Sequence, residues 1–367
     1  MSVTIVYDHF IARGGAENVS LLLQKSLDQA HIESAYADST LFFEEIRSGK
    51  LIAGSFKSRL GPVNSLRLLC FYSMRYCLPK CDAAVLSGLY APLCLLRTQD
   101  VGKSIIYFHM FPVFLEWSFE ELQRRYGKFK ALVAISVIKL YRILLIRATR
   151  GTSRVYSNSI QAKNKFSKIG IDSEVLYPPV SLSGFEDNVG ENFFLSTARL
   201  EESKRVRMIA DTFCQLPNIK VIFIGGGTLL EEFKQKYKSF HNIQFVGWVS
   251  MQQVRYFYSR AQCLIYVPEN EAFGIAPIEA LAAGKPIIGV AEGGLLETIT
   301  DKRLGTLIQL PLTTQKLARA VALYHGKKEN TLDVKYRKDY ALKFDEKVFY
   351  KEISLALGEE YEKAPDV

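Results

Sequence analysis

Glu271 and Glu279 stand eight positions apart, with Phe273-Gly274-Ile275 between them and the apolar run 280–283 behind. The residues Glu279-Ala280-Leu281-Ala282-Ala283 favour helix, and Gly284 followed by Lys285-Pro286 stops it. Gly274 lets a backbone approach a ligand closely. The helix start just after it offers unpaired N–H groups and a positive dipole end. One carboxylate therefore lies at the mouth of an anion site and the other about two turns along. A ligand carrying both phosphates and hydroxyls suits that arrangement, which points to a nucleotide sugar.

Further groups able to do chemistry lie elsewhere. Thr197-Ala198-Arg199-Leu200 is followed by Lys204-Arg205-Val206 at the start of a helical stretch. Cations at a helix N-terminus oppose its dipole, so a bound anion is the natural counterpart. Gly14-Gly15-Ala16-Glu17 follows the loop of residues 9–13, and two glycines leading into a helix can form a phosphate-sized nest. His109 ends an apolar strand in Tyr107-Phe108-His109-Met110-Phe111-Pro112. Gly225-Gly226-Gly227 lacks the Lys-Ser or Lys-Thr of a P-loop and reads as a strand-to-helix turn. No Asp-x-Asp pair is placed to hold a metal under a diphosphate, so no metal is expected.

The elements that must position these groups alternate between short β-branched runs and helical stretches, the pattern of α/β folds with parallel sheets. Strands are predicted at 4–7, 83–86, 104–108, 154–156 and 174–177, then at 193–196, 220–224, 243–246, 263–267 and 286–290. A chain of 367 residues is long for one domain. The polar stretch after Pro178-Pro179 suggests the division: residues 1–180 as a first domain, 181–192 as linker and 193–343 as a second domain. Residues 344–367 form a terminal helix with Val348, Phe349, Ile353 and Ala356 on its apolar positions.

With 48% hydrophobic and 23% charged residues, the chain is globular rather than disordered. Its opening run ends at Asp8 and reads as a first strand rather than a leader, and no uncharged apolar run is long enough to span a bilayer. A cytoplasmic protein is expected, soluble or peripheral at the inner face of a membrane. The six cysteines show no CxxC pair and read as buried free thiols. A net charge of +9 is compatible with nucleic acid, anionic lipid or a polyanionic substrate, but no nucleic-acid-binding motif is present. Two basic apolar stretches, residues 128–150 and 56–80, have the make-up of surfaces that lie against anionic lipid; the former equally fits a helix buried on the first sheet, and the latter is the better docking candidate.

The segment from Glu271 to Glu279 resembles the Glu–seven residues–Glu signature of the large retaining glycosyltransferase family of GT-B fold, known as group 1 or family 4. The resemblance implies two Rossmann-like parallel-sheet domains with the active site in the cleft between them. By position, Glu271 would bond the donor sugar's hydroxyls, Glu279 the ribose, and Phe273, Gly274 and Ile275 would supply backbone donors. Arg199 and Lys204 match the family's pyrophosphate clamp, with Ala198 where the family usually has Gly. Gly14 and Gly15 match its Gly-Gly-Ala-Glu element, and Gly247 and Val249 its strand-end loop against the nucleobase. Gly293-Gly294-Leu295-Leu296-Glu297 resembles its Gly-Gly-x-x-Glu turn. The Tyr-x-His at His109 is similar to that of the mannosyl branch, with the Pro displaced.

The resemblance implies same-face transfer of a hexose, with retention, from a nucleotide sugar to a glycan or a lipid-linked acceptor. GDP-mannose is the expected donor and a UDP-sugar the alternative, without a cofactor. Readings of another class are a sugar-nucleotide epimerase, which shares the fold, and a non-catalytic nucleotide-sugar-binding module. A nicotinamide-dependent dehydrogenase would need Gly-x-Gly-x-x-Gly after the first strand, which Ile11-Ala12-Arg13-Gly14-Gly15 does not supply.

Overall fold

The computed structural model describes residues 1–27, 29–54, 62–98, 101–186, 191–328 and 330–358. The chain divides into two compact units, Met1–Pro178 with Phe349–Val367, and Pro179–Val348. Residues 181–186, read from sequence as part of a linker, thus group with the second unit. The Glu186 N–H donates to Ser259 Oγ at 2.9 Å, and the Phe185 ring meets Tyr258 edge-on.

Among the described residues the first unit contains β1 (Val3–Tyr7), β2 (Ala30–Ser34), β3 (Leu51–Ala53), β4 (Cys81–Ser87), β5 (Val101–Phe108), β6 (Arg154–Ser157) and β7 (Glu174–Val175). They form a parallel sheet in the order β3-β2-β1-β4-β5-β6-β7. Successive residues point to opposite faces, and here both faces are apolar, as expected when helices cover each side. Val6, Leu86, Ile106 and Phe108 enter one buried cluster, and Ile5, Val85, Ile105 and Tyr107 the other. The long helix Lys128–Thr149 brings Tyr141, Leu145 and Ala148 to the first cluster. The C-terminal helix Glu346–Leu357 brings Phe349, Tyr350, Ile353 and Leu357 to the second. Val348, assigned to that helix's apolar face from sequence, is instead 49% exposed.

The second unit repeats the scheme with β8 (Phe193–Ser196), β9 (Lys220–Ile224), β10 (Ile243–Gly247), β11 (Cys263–Tyr266), β12 (Ile287–Val290) and β13 (Gly305–Ile308). These are again parallel, in the order β10-β9-β8-β11-β12-β13. Both orders reverse beside the first strand of the unit, and such a reversal puts ligand sites outside the carboxyl ends of the strands. Strands β2, β3 and β13 are absent from the sequence-based set. β2 interleaves His and Glu with its apolar residues, β3 has three residues, and β13 starts on Gly, so none carries a run that periodicity can find. The cysteines depart from expectation in part, since Cys70 and Cys77 are exposed free thiols.

Candidate functional site

In the second unit the loop after β11 carries Glu271 and runs into the helix Ile275–Ala282. Gly274 caps that helix at φ +92°, a left-handed conformation that a side chain would strain. Pro277 lies in the first turn, where a missing N–H costs nothing, and the unpaired donors are those of the neighbouring residues. Phe273 is buried and its ring packs on Phe344 at 5.4 Å, so it anchors the loop. The loop is clasped from behind by Gly293 and Gly294. The Gly294 N–H donates to the Glu271 carbonyl at 2.8 Å, and a Cβ on Gly294 would stand 2.5 Å from the Phe273 Cα. Only glycine permits that approach.

Two of the sequence-derived residues meet here. Lys204 Nζ lies 2.7 Å from Glu271 Oε2, and Tyr266, at the end of β11, donates its hydroxyl to the same oxygen at 2.7 Å. Burial and the Glu271 charge push the Tyr266 phenol well above its ordinary range, so it stays a proton donor to the carboxylate. Lys204 ends a short 3-10 turn, Glu202–Lys204, rather than opening the helix, which begins at Val206. The residue between, Arg205, is left-handed at φ +50° and turns inward. Its guanidinium bonds Glu292 at 3.0 Å and Glu269 at 3.3 Å, while the Glu269 N–H donates to the Ser203 carbonyl. Glu292 in turn accepts from the Asn270 N–H. Arg205 and Glu292 thus staple the Lys204 loop to the Glu271 loop. Sequence reading placed Arg205 in a basic run and passed over Glu292, Tyr266 and Tyr258.

Arg199 pairs elsewhere, although its charge reaches the Tyr266 phenol. Its side chain is 57% exposed and 3.2 Å from Glu201, which leaves the guanidinium open to solvent. Glu279, in the second turn of the helix Ile275–Ala282, accepts from Tyr258 at 2.8 Å, and burial raises its carboxyl above the usual range. Gly247 takes φ +87° as β10 ends, with Val249 two residues on. Next to them Trp248 lies across Gly226, where a Cβ would collide with the indole, and the Gly225 N–H donates to the Gly247 carbonyl at 2.8 Å. Gly227 packs equally tightly on Leu200. The glycine triplet therefore braces the Arg199–Leu200 loop as a turn.

The raised Glu279 carboxyl has a consequence for stability. Holding its proton favours the folded state, and that contribution disappears as pH rises through the raised value. Above that value the buried anion is a cost. Glu279→Gln keeps an oxygen to accept from Tyr258, so its melting temperature at neutral pH is expected to exceed that of the parent. The gain should vanish in acid, where the parent carboxyl is itself neutral; a variant less stable at neutral pH would contradict this account.

In the first unit, residues at the ends of four neighbouring strands converge. His109 follows β5, and its Nε2 is hydrogen-bonded to Ser87 Oγ at the end of β4. Its carbonyl accepts from the Asn158 side chain, one residue past β6. The rings of Tyr7 and Tyr107 stand edge-on to the imidazole at 5.6 and 5.0 Å. Asp8, one residue past β1, accepts from the Leu89, Tyr90 and Ala91 N–H groups at 2.7–2.8 Å and so holds the loop after β4. Sequence reading missed this role because Asp8 looked only like a strand terminus. Gly14 and Gly15 open the helix Gly15–Ser26 without a side-chain cap, but the chain's own Glu17 carboxylate lies over Gly14.

Burial lowers His109 from 6.5 to about 3, so the imidazole is neutral at physiological pH. In that form the ring can hydrogen-bond but carries no charge. Between those two values the unfolded chain binds a proton that the folded state refuses, so stability falls as pH drops from 6.5 toward 3, by on the order of a few kcal/mol. Melting curves of the parent and His109→Asn across that interval check this: the variant is expected to lose less stability on acidification.

Among the described residues no group of three His, Cys, Asp or Glu side chains is placed to hold a metal ion, and no helix is long and apolar enough to cross a membrane. Residues 184–338 match the family described as glycosyl transferases group 1. The chain is 28% identical to the alpha-1,3/1,6-mannosyltransferase ALG2 of Dictyostelium discoideum over 293 residues, 65% of this chain and 66% of that protein's length. Among solved structures, HepE (Alr3699) of Anabaena in complex with UDP superposes with a TM-score of 0.73 at 16% identity, over 98% of this chain and 100% of that one. HepE has also been solved with UDP-glucose. The apo lipopolysaccharide outer core galactosyltransferase WaaB aligns with a TM-score of 0.65 at 15% identity, covering 98% of this chain and 99% of its own.

Proposed function

We propose, from the premise that this chain belongs to the group 1 glycosyltransferases of GT-B fold, that it is a retaining hexosyltransferase whose donor is a UDP-hexose bound on the second unit. The acceptor is a hydroxyl of a glycan or a lipid-linked saccharide. The observation that carries the reading is the Lys204–Glu271–Tyr266 cluster beside an unpaired helix start, a cation and a carboxylate set where a diphosphate and a sugar would adjoin. In this reading Glu271 orients the sugar hydroxyls and Glu279 accepts from the ribose. Lys204 and Arg199 take up charge as the bond from the anomeric carbon to the β-phosphate oxygen breaks. The acceptor oxygen bonds the same face of that carbon, and its proton passes to the leaving phosphate oxygen. His109, neutral and placed in the first unit, is kept as a residue that can offer a hydrogen bond without adding charge.

The UDP donor is favoured over the GDP-mannose expected from sequence because HepE, which shares the fold along its whole length, was crystallised with UDP and UDP-glucose. GDP-mannose is kept as the second reading on the strength of the mannosyltransferase relative. Nucleotide release measured with UDP-glucose, UDP-galactose, UDP-N-acetylglucosamine and GDP-mannose separates the two. Release from GDP-mannose alone overturns the UDP donor, and release from none of them overturns the transferase. Glu279→Gln is expected to raise the Michaelis constant for donor with little change in turnover, since ribose contacts are alike in ground and transition states. Because two cations are available to the leaving group, activity is expected to survive EDTA. Strict dependence on added Mg²⁺ or Mn²⁺ would reverse that.

A further inference from the structure

The first unit holds a cavity of about 890 Å³ that the catalytic reading does not use. Leu69, Tyr90, Phe114, Trp117, Val137 and Tyr141 are among the apolar and aromatic side chains of its wall, and among the described residues Lys130 is the charged side chain there. That volume lies within the range of small-molecule sites, and protein interiors are otherwise close-packed. Its rim is unusually apolar for a surface: Phe129 is 80% exposed and Val133 52%. Leu132, Leu140 and Ile143 on the same helix are exposed as well.

Charge singles out the occupant. The helix Lys128–Thr149 carries Lys128, Lys130, Lys139, Arg142 and Arg147 and no carboxylate. Arg124 and Arg125 end the helix before it, whose own acids, Glu120 and Glu121, are at its opposite end. Arg125 stacks over Trp117 at 5.0 Å. A second copy docked by two-fold symmetry would bring these cations against one another. A hydrocarbon chain with an anionic head meets both the hole and the charge around it. The cavity also adjoins the first unit's polar cluster. The Tyr141 hydroxyl donates to the Leu89 carbonyl at 2.7 Å, on the loop that Asp8 holds and that leads from Ser87, the partner of His109.

We propose that this cavity binds the hydrocarbon chain of an anionic membrane lipid, the anchor of the acceptor, with its phosphate against Lys130 and its glycan toward the loop between Ser87 and Tyr90. The acceptor clause rests on the transferase reading, and chain binding does not. The probe is Trp117, which becomes the sole indole of the full chain in Trp248→Phe. Vesicles of phosphatidylglycerol with dibrominated acyl chains are expected to quench its fluorescence, and brominated phosphatidylcholine vesicles far less. Phe129→Asp with Lys130→Glu, both exposed positions, should weaken vesicle binding by about tenfold. Val137→Phe, which narrows the cavity, should reduce quenching while leaving sedimentation with the vesicles intact.

Sedimentation without quenching in the parent overturns the proposal in favour of surface docking, and absence of both overturns it outright. A concentration-dependent dimer that Phe129→Asp dissociates would assign the face to a second copy instead. The two readings fail separately. Protein that is quenched but releases no nucleotide from any donor keeps the cavity and loses the transferase. Protein that releases nucleotide without being quenched loses the cavity alone.

Discussion

Lys204→Ala is expected to lower turnover by roughly 10²–10³, the effect of removing a preorganised group that stabilises charge only as it develops, about 3–4 kcal/mol. The surroundings of Lys204 suit the task proposed for it. Its ammonium is 2.7 Å from Glu271, both side chains are mostly buried, and Arg205 behind it is locked by Glu292 and Glu269. A cation already paired in a partly dehydrated site need not be gathered from solvent when the diphosphate forms. The loss should appear in kcat and kcat/KM alike, because the interaction grows between ground state and transition state. A purely structural lysine would instead lower the melting temperature and leave kcat near the parent value. Lys204→Arg, which restores charge without the geometry, should recover part of the rate. Turnover within threefold of the parent in Lys204→Ala would remove the residue from the mechanism.

Glu271→Ala is expected to lose most of its turnover while the second unit stays folded. The loop backbone is held independently of the carboxylate, by the Gly294 N–H on the Glu271 carbonyl and by Phe273 in the core. Removing the carboxylate leaves Lys204 and Tyr266 without the oxygen they share, so the two substitutions act on one unit and their costs should not add. A double-mutant cycle between Lys204 and Glu271 should return a coupling of about 0.5–3 kcal/mol in transition-state free energy. Additive losses, or a Glu271→Ala protein with the parent's activity and melting temperature, would end the assignment of Glu271 to the sugar.

Much of this protein was legible from local pattern. The strands β8 and β9 fall at 193–196 and 220–224 as read from sequence, because each is a compact apolar run between turns. The helix after Gly274 and its stop near Gly284 were legible for the same reason, as the residues that begin and end a helix are neighbours along the chain. What local pattern missed is equally specific. β2 pairs with β1, and β3 with β2, across intervening stretches of sequence, and their short composition carries no signal until the sheet assembles.

The chain's own residues, taken in order, determined that it is α/β, that it bears a carboxylate pair around a glycine-capped helix, and that the cations Arg199 and Lys204 follow an apolar strand. These are properties of spacing, and spacing survives without a fold. Folding decided which of those groups meet. Lys204 and Glu271 are 67 positions apart yet share a proton's reach, whereas Arg199, five positions from Lys204, faces solvent. Folding also decided protonation: Glu279 and His109 have ordinary side chains, and burial at strand and helix ends favours the neutral form of each. Dehydration is a property of the packed surroundings, contributed by residues remote in sequence, and no motif encodes it.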